Sequence, residues 1–167
     1  MGRRNAPRDA MILMRTALLV AAAIGVAGCA GVPFLDPGPP TVASEQRRLR
    51  DELRDAPVVV VETTSEGRLR VAVPLRYAFE AGRGAVKPPL AAVLDRMAPG
   101  LKPGGFDVRV AAPADGRGGS PLLAQDRAAG VRDYLVGRGV PLARFTGLAQ
   151  TPGDNVEMLL TQRAAAR

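Results

Sequence analysis

The chain has 167 residues, of which 47% are apolar and only 4% aromatic, and it contains neither tryptophan nor histidine. This length allows one ordinary domain with additional segments, and the core must be built from Val, Leu and Ala. Lys and Arg outnumber Asp and Glu by 23 to 16, but the arginines are scattered among acids, as in residues 47–55. Nucleic-acid-binding proteins instead cluster their cations or interleave them with aromatics, so the pattern argues against a nucleic-acid partner.

The first segment to consider is an apolar run that follows Arg15. Residues 16–35 carry no charge, which is close to the ~20 residues that a membrane-spanning helix needs. Three glycines and a proline interrupt the second half of this run, and the remaining apolar part has the length of a signal peptide. We therefore predict a signal peptide over residues 1–28. An uncleaved membrane anchor is the alternative.

The only cysteine follows this segment directly. Residues 26–29 (VAGC) resemble the bacterial lipobox, in which the cysteine becomes the lipidated first residue of the mature protein. An unpaired cysteine is otherwise unfavourable in an exported protein, although plain secretion with an incidental cysteine remains open. Two or more acyl chains on Cys29 would hold the protein stably at a membrane. Ala30 stands where an Asp marks inner-membrane retention in such lipoproteins, which by analogy favours the outer membrane.

Two short segments precede the domain. Residues 29–43 are rich in Pro and Gly, a composition typical of a semi-rigid spacer. Residues 44–55 (SEQRRLRDELRD) predict a short charged helix with Ser44 as its N-cap. Its apolar stripe consists only of Leu49 and Leu53, so such a helix is marginal in isolation.

The rest of the chain, residues 57–167, alternates strand and helix patterns. The predicted elements are a hairpin around residues 65–67, a helix opened by Pro88 and Pro89, a strand over residues 106–110, a helix from Pro121 to Gly137 or Gly139, and two last strands in RFTGLAQ and NVEMLLT. This order predicts an α/β two-layer sandwich, with a mixed sheet of four or five strands and two main helices on one face.

Three stretches of this domain resemble one known family. They are RYAFEAGRGAVKPPLAAVLDRMAPGL, FDVRVAAPAD and, most specifically, LLAQDRAAGVRDYLVGRGVPLARF. Together they are similar to the OmpA-like C-terminal domain, a peptidoglycan-binding module of bacterial envelopes, over residues 69–160. The resemblance implies the fold described above and a domain that faces the periplasm.

The same resemblance implies a ligand and the residues that bind it. In that family, the Asp after the strand and the Arg in the helix hold the diaminopimelate of the wall's stem peptide; the matching positions are Asp115 and Arg127. Ser120 stands where the family has an Asn and is a further candidate. The chemistry is reasonable, because an Asp suits the ligand ammonium and a planar guanidinium can bind the ligand carboxylate through two parallel bonds. The implied function is an outer-membrane lipoprotein that anchors the envelope non-covalently to peptidoglycan.

The chain departs from the family at supporting positions. The family's Gly-His-Thr is replaced by residues 112–114 (APA), and its Asn-Arg-Arg-Val-Glu survives only as residues 154–157 (DNVE). An alternative function is therefore an OmpA-like domain that no longer binds peptidoglycan and instead binds protein partners in an envelope assembly.

Catalysis is not indicated by the sequence. No histidine is available as a base, no carboxylate pair or cluster of metal ligands stands out, and Ser120 has no evident activating partner. We predict neither an enzyme nor a bound cofactor or metal.

Overall fold

The computed structural model of the protein describes residues 40–56, 58–116 and 119–164. The elements in chain order are α1 (Val42–Glu52), β1 (Val60–Thr63), β2 (Leu69–Pro74), the short helix α2 (Leu75–Ala78), α3 (Pro88–Leu101), β3 (Phe106–Ala112), α4 (Pro121–Gly137), a 3-10 turn (Leu142–Arg144), β4 (Phe145–Gln150) and β5 (Asn155–Gln162). No helix in these ranges is long and apolar enough to cross a membrane. The predicted signal peptide and Cys29 lie outside the described residues.

The five strands form one mixed sheet in the order β1-β2-β5-β3-β4. The first three neighbouring pairs are antiparallel, whereas β3 and β4 are parallel and are joined through α4. A parallel pair needs such a crossover, because a tight turn can join only antiparallel neighbours. The predicted α/β sandwich, with its helices on one face of a mixed sheet, is confirmed.

The core lies between the sheet and the long helices. Strand β3 alternates strictly, so that Phe106, Val108, Val110 and Ala112 are fully buried while the residues between them are not. Helix α3 begins with two prolines at its first positions. It buries one face, and the residues on that face follow the helical spacing of the apolar residues in the sequence: Leu90, Val93, Leu94, Met97 and Leu101.

Helix α1 has its N-cap three residues earlier than predicted. Thr41, and not Ser44, is the N-cap: its hydroxyl accepts from the Ser44 amide (3.2 Å), and the Ser44 hydroxyl accepts from the Thr41 amide (2.9 Å). This reciprocal capping box stabilises the first turn more completely than a cap at Ser44 could. The end of the predicted spacer therefore belongs to the helix, and Leu49 and Leu53 pack in the same core as the rest of the domain.

Helix α4 ends as predicted, at a glycine. Its last residue is Gly137, and Gly139 follows with a φ of +92°. The left-handed conformation there suits glycine, because any side chain would strain the turn. The apolar pattern of this helix predicts a buried face with Leu123, Val131 and Leu135, but Leu123 is partly exposed, whereas Ala124, Arg127 and Ala128 are buried.

Candidate functional site

The candidate site begins where β3 ends. Ala112, Pro113 and Ala114 continue the strand as a buried segment, and Asp115 then emerges with 37% of its side chain exposed. A second segment, residues 79–87, lies against this one, and an isolated antiparallel bridge between Phe79 and Val86 closes it into a loop.

Arg127 lies in the second turn of α4 and is fully buried. Its guanidinium donates to three backbone carbonyls and one carboxylate: Nε to Arg83 (3.0 Å), Nη1 to Pro113 (2.9 Å), and Nη2 to Glu80 (3.2 Å) and to Asp115 Oδ1 (2.5 Å). The guanidinium carbon also lies 5.4 Å from the centre of the Phe79 ring, in a cation–π contact.

These bonds join the two segments of the site. A guanidinium has five N–H donors, and four hydrogen bonds from Arg127 are present among the described residues. The buried guanidinium and the buried Pro113 carbonyl would each be costly without partners, so these bonds stabilise residues 79–83 against residues 113–115. The charge of Arg127 is compensated by the same contacts.

Asp115 is held from two sides. Its Oδ1 accepts from Arg127, and its Oδ2 accepts from the Gly82 amide (2.5 Å). The hydrogen bond from Arg127, followed by that from Gly82, lowers the pKa of the Asp115 carboxyl below its ordinary value of 3.8. The resulting stabilisation is present above that ordinary value and is lost as the pH falls through the lowered pKa. The carboxylate is therefore ionised at neutral pH and partly open to solvent.

A cleft of about 340 Å³ opens beside this pair. It is lined by Leu75, Arg76, Phe79, Glu80, Ala81, Lys87, Asp115 and Arg127. Its walls combine an apolar surface with both signs of charge, which suits a ligand that carries an ammonium and a carboxylate close together.

Two of the charged residues in the cleft pair with each other. The Lys87 ammonium lies 2.9 Å from Glu80 Oε1 and also donates to the backbone carbonyl of Arg76 (3.1 Å). The hydrogen bond from Lys87 lowers the pKa of the Glu80 carboxyl. Arg76 lies on the exposed side of α2, with its guanidinium carbon 4.8 Å from the centre of the Tyr77 ring.

The structure thus brings together two of the three residues predicted to bind the ligand. Ser120 is the exposed residue before α4, makes no side-chain capping bond and is not part of the cleft lining. Its role in binding stays a prediction. Sequence reasoning missed Arg76, Glu80 and Lys87. The available signal for the first two was the pair of charged residues in RYAFE, shortly after a buried strand.

Among the described residues, no group of three or more His, Cys, Asp or Glu side chains is arranged to hold a metal ion. The candidate site consists of the ion pairs and the cleft given above.

No protein-family model and no curated protein sequence matches the chain. Several solved structures match its fold. A MotB-like protein of Desulfovibrio vulgaris has a TM-score of 0.60 at 18% identity, over 73% of this chain and 94% of its own. The cell wall anchor of the T6SS of Pseudomonas aeruginosa has a TM-score of 0.57 at 23% identity, over 71% of this chain and 99% of its own.

The periplasmic domain of Helicobacter pylori MotB is a third match, with a TM-score of 0.55 at 19% identity, over 66% of this chain and 83% of its own. At such identities the likeness establishes the fold alone. The described part of the chain has the fold of the OmpA-like domains, and the resemblance predicted from the sequence motifs is confirmed at that level.

Proposed function

We propose that this protein binds peptidoglycan non-covalently and anchors the envelope to it, through the free end of diaminopimelate in the stem peptide. The observation that carries the proposal is the position of the Asp115 carboxylate. It is partly exposed, is oriented by Arg127 and Gly82, and lies at the wall of a cleft that is also lined by cationic side chains. The similarity of fold to a cell wall anchor supports the same assignment.

The ligand chemistry fits these groups. The free end of diaminopimelate carries an ammonium and a carboxylate on one carbon, and the Asp115 carboxylate accepts hydrogen bonds from that ammonium. Arg127 keeps Asp115 ionised and in place, and it has at most one N–H left for the ligand carboxylate. Each charge-assisted bond contributes about 1.5–3 kcal/mol, so two or three give a dissociation constant on the order of millimolar to micromolar.

Such weak binding suffices for an anchored protein. We place the domain in the periplasm and its attachment at the outer membrane, through a lipid on Cys29. A membrane-held protein meets a polymer that repeats the same ligand, so the effective concentration is high and many weak contacts act together. The fold similarity to a periplasmic domain supports this location of the domain.

The test is co-sedimentation of the full-length protein, in non-ionic detergent, with purified sacculi. Asp115→Asn should lower saturable binding at least tenfold, because the neutral amide loses its charge-assisted bonds to the ligand ammonium. The matched control is Asp133→Asn, the same change at a 65% exposed carboxylate on α4, which should bind like the wild type.

A wild-type protein that stays in the supernatant while folded would contradict the proposal. So would an Asp115→Asn variant that binds as well as the control. The alternative function, an OmpA-like domain that binds protein partners instead of peptidoglycan, would then be favoured, because the chain lacks the Gly-His-Thr residues of the family.

A further inference from the structure

The ligand carboxylate needs a cationic side chain of the cleft that has free N–H groups. Three cationic side chains line the cleft: Arg76, Lys87 and Arg127. A planar carboxylate is bound best by two parallel N–H donors from one edge of a guanidinium. The question is which of the three residues can present such an edge.

Arg127 cannot present two parallel donors in this geometry. Its side chain is fully buried, and four hydrogen bonds already run from it to the carbonyls of Glu80, Arg83 and Pro113 and to Asp115. A bidentate contact with a ligand would require it to release at least one of these partners. The ligand bond would then only replace a hydrogen bond that the buried guanidinium already makes, so the net gain on binding would be small.

Lys87 is also engaged. Its ammonium contacts the Glu80 carboxylate at 2.9 Å and the Arg76 carbonyl at 3.1 Å, and its side chain is only 27% exposed. A lysine is moreover a point charge without the planar fork that matches a carboxylate. Its positive charge is largely compensated by Glu80.

Arg76 differs from both. It is exposed, and within the described residues its guanidinium forms no salt bridge and no hydrogen bond. Its guanidinium carbon lies 4.8 Å from the centre of the Tyr77 ring, in a cation–π contact. Because the guanidinium donates no hydrogen bond within the described residues, its N–H groups remain available to a ligand. The hydrogen bond from Lys87 to the Arg76 carbonyl fixes the backbone from which the side chain extends.

We infer that Arg76 binds the carboxylate at the free end of diaminopimelate, while Asp115 binds the ammonium on the same carbon. This inference rests on the proposed function and adds the residue that recognises the second charge. It assigns Arg127 a positioning role, which is to hold Asp115 and the two loops. Arg76 is then the residue that distinguishes diaminopimelate from lysine, whose side chain ends in an ammonium without a carboxylate.

The test compares two synthetic stem tripeptides that differ only at the third residue, meso-diaminopimelate or L-lysine. Their affinities for the full-length protein in detergent are measured by calorimetry or by NMR titration. The wild type should bind the diaminopimelate peptide at least tenfold more tightly. Arg76→Gln should lose most of this preference and leave the affinity for the lysine peptide nearly unchanged, because only the carboxylate contact is removed.

Arg54→Gln is the matched control, since it removes one arginine that is 77% exposed on the segment after α1, outside the cleft. Arg76→Gln with a preserved preference for diaminopimelate would overturn the inference while the proposed function stands. Wild-type protein that binds neither the peptides nor sacculi would overturn both. Asp115→Asn should weaken both peptides, because both carry the ammonium.

Discussion

At the scale of single residues, Arg127 explains how two loops without secondary structure keep a defined geometry. Its guanidinium donates to carbonyls at positions 80, 83 and 113, which belong to segments more than 25 residues apart in the chain. Asp115 compensates the charge and is in turn fixed by the Gly82 amide. An exposed ion pair would contribute little, but this one is buried on the arginine side and well supplied with partners.

We expect Arg127→Met to lower the free energy of unfolding by roughly 1–3 kcal/mol, because the buried Pro113 carbonyl loses its donor and Asp115 loses its cation. Urea unfolding followed by circular dichroism measures this change. The control, Arg132→Met on the same helix, removes an arginine that is 30% exposed and paired with Asp133, and should cost less than about 1 kcal/mol. Equal losses in the two variants would contradict the role assigned to Arg127.

At the scale of elements, α1 is held by both packing and polar contacts. Leu49 and Leu53 enter the common core, and Glu45 is only 2% exposed, paired with Arg48. Arg48 also donates to the Arg96 carbonyl of α3 (2.9 Å). Gly100 leaves room for the Glu45 carboxylate, since a Cβ there would overlap the carboxylate oxygens.

Helix α1 also protects one edge of the sheet. Strand β1 is the outermost strand on that side, and the Arg50 side chain donates from Nε to the Val61 carbonyl (3.1 Å). Pairing of an edge carbonyl with a side chain removes a site at which another strand could add.

We therefore expect Leu49→Ala to destabilise the whole domain by about 2–4 kcal/mol in a single unfolding transition, because the cavity opens in the shared core. Thermal and urea unfolding measure the loss. Arg47→Ala, an exposed change on the same helix, should cost no more than about 0.5 kcal/mol. Unaltered stability of the Leu49 variant would mean that α1 does not belong to the cooperative unit.

At the scale of the whole molecule, the chain enters the domain at the end opposite to the cleft. The Val42 amide donates to Gln162 Oε1 (3.3 Å), and Gln162 pairs with Phe106 at the start of β3. Asp115 follows the other end of this seven-residue strand, and the two ends of the strand lie about 23 Å apart. Pro40 also lies beside Gly105, so the described part of the chain begins at the end of the sheet away from the cleft.

We expect Cys29→Ala to abolish the incorporation of labelled palmitate into the protein in cells, because the thiol that would carry the acyl chain is gone. Metabolic labelling and immunoprecipitation of the two proteins measure this. A wild type that takes up no label contradicts lipidation. Fractionation of the wild type then separates an uncleaved anchor, which stays in the membrane, from plain secretion, which gives a soluble protein.

Much of this protein follows from its sequence. The period-two pattern of residues 106–112 and the helical stripe that contains Leu90 and Leu94 determine strand, helix and buried face, because these patterns depend only on local geometry and the burial of apolar groups. Asp115 and Arg127 were paired through the family motif, and the sequence contains no spacing rule that would show that the arginine is buried.

Only the tertiary structure decided the composition of the cleft. Arg76 and Lys87 come to lie near Asp115 because residues 79–87 fold back on themselves and are held by Arg127 to the end of β3. These contacts join residues that are distant in the chain, and they produce no periodic pattern in the sequence. The motif also could not show which groups accept from Arg127, because three of the four acceptors are backbone carbonyls, which every residue carries.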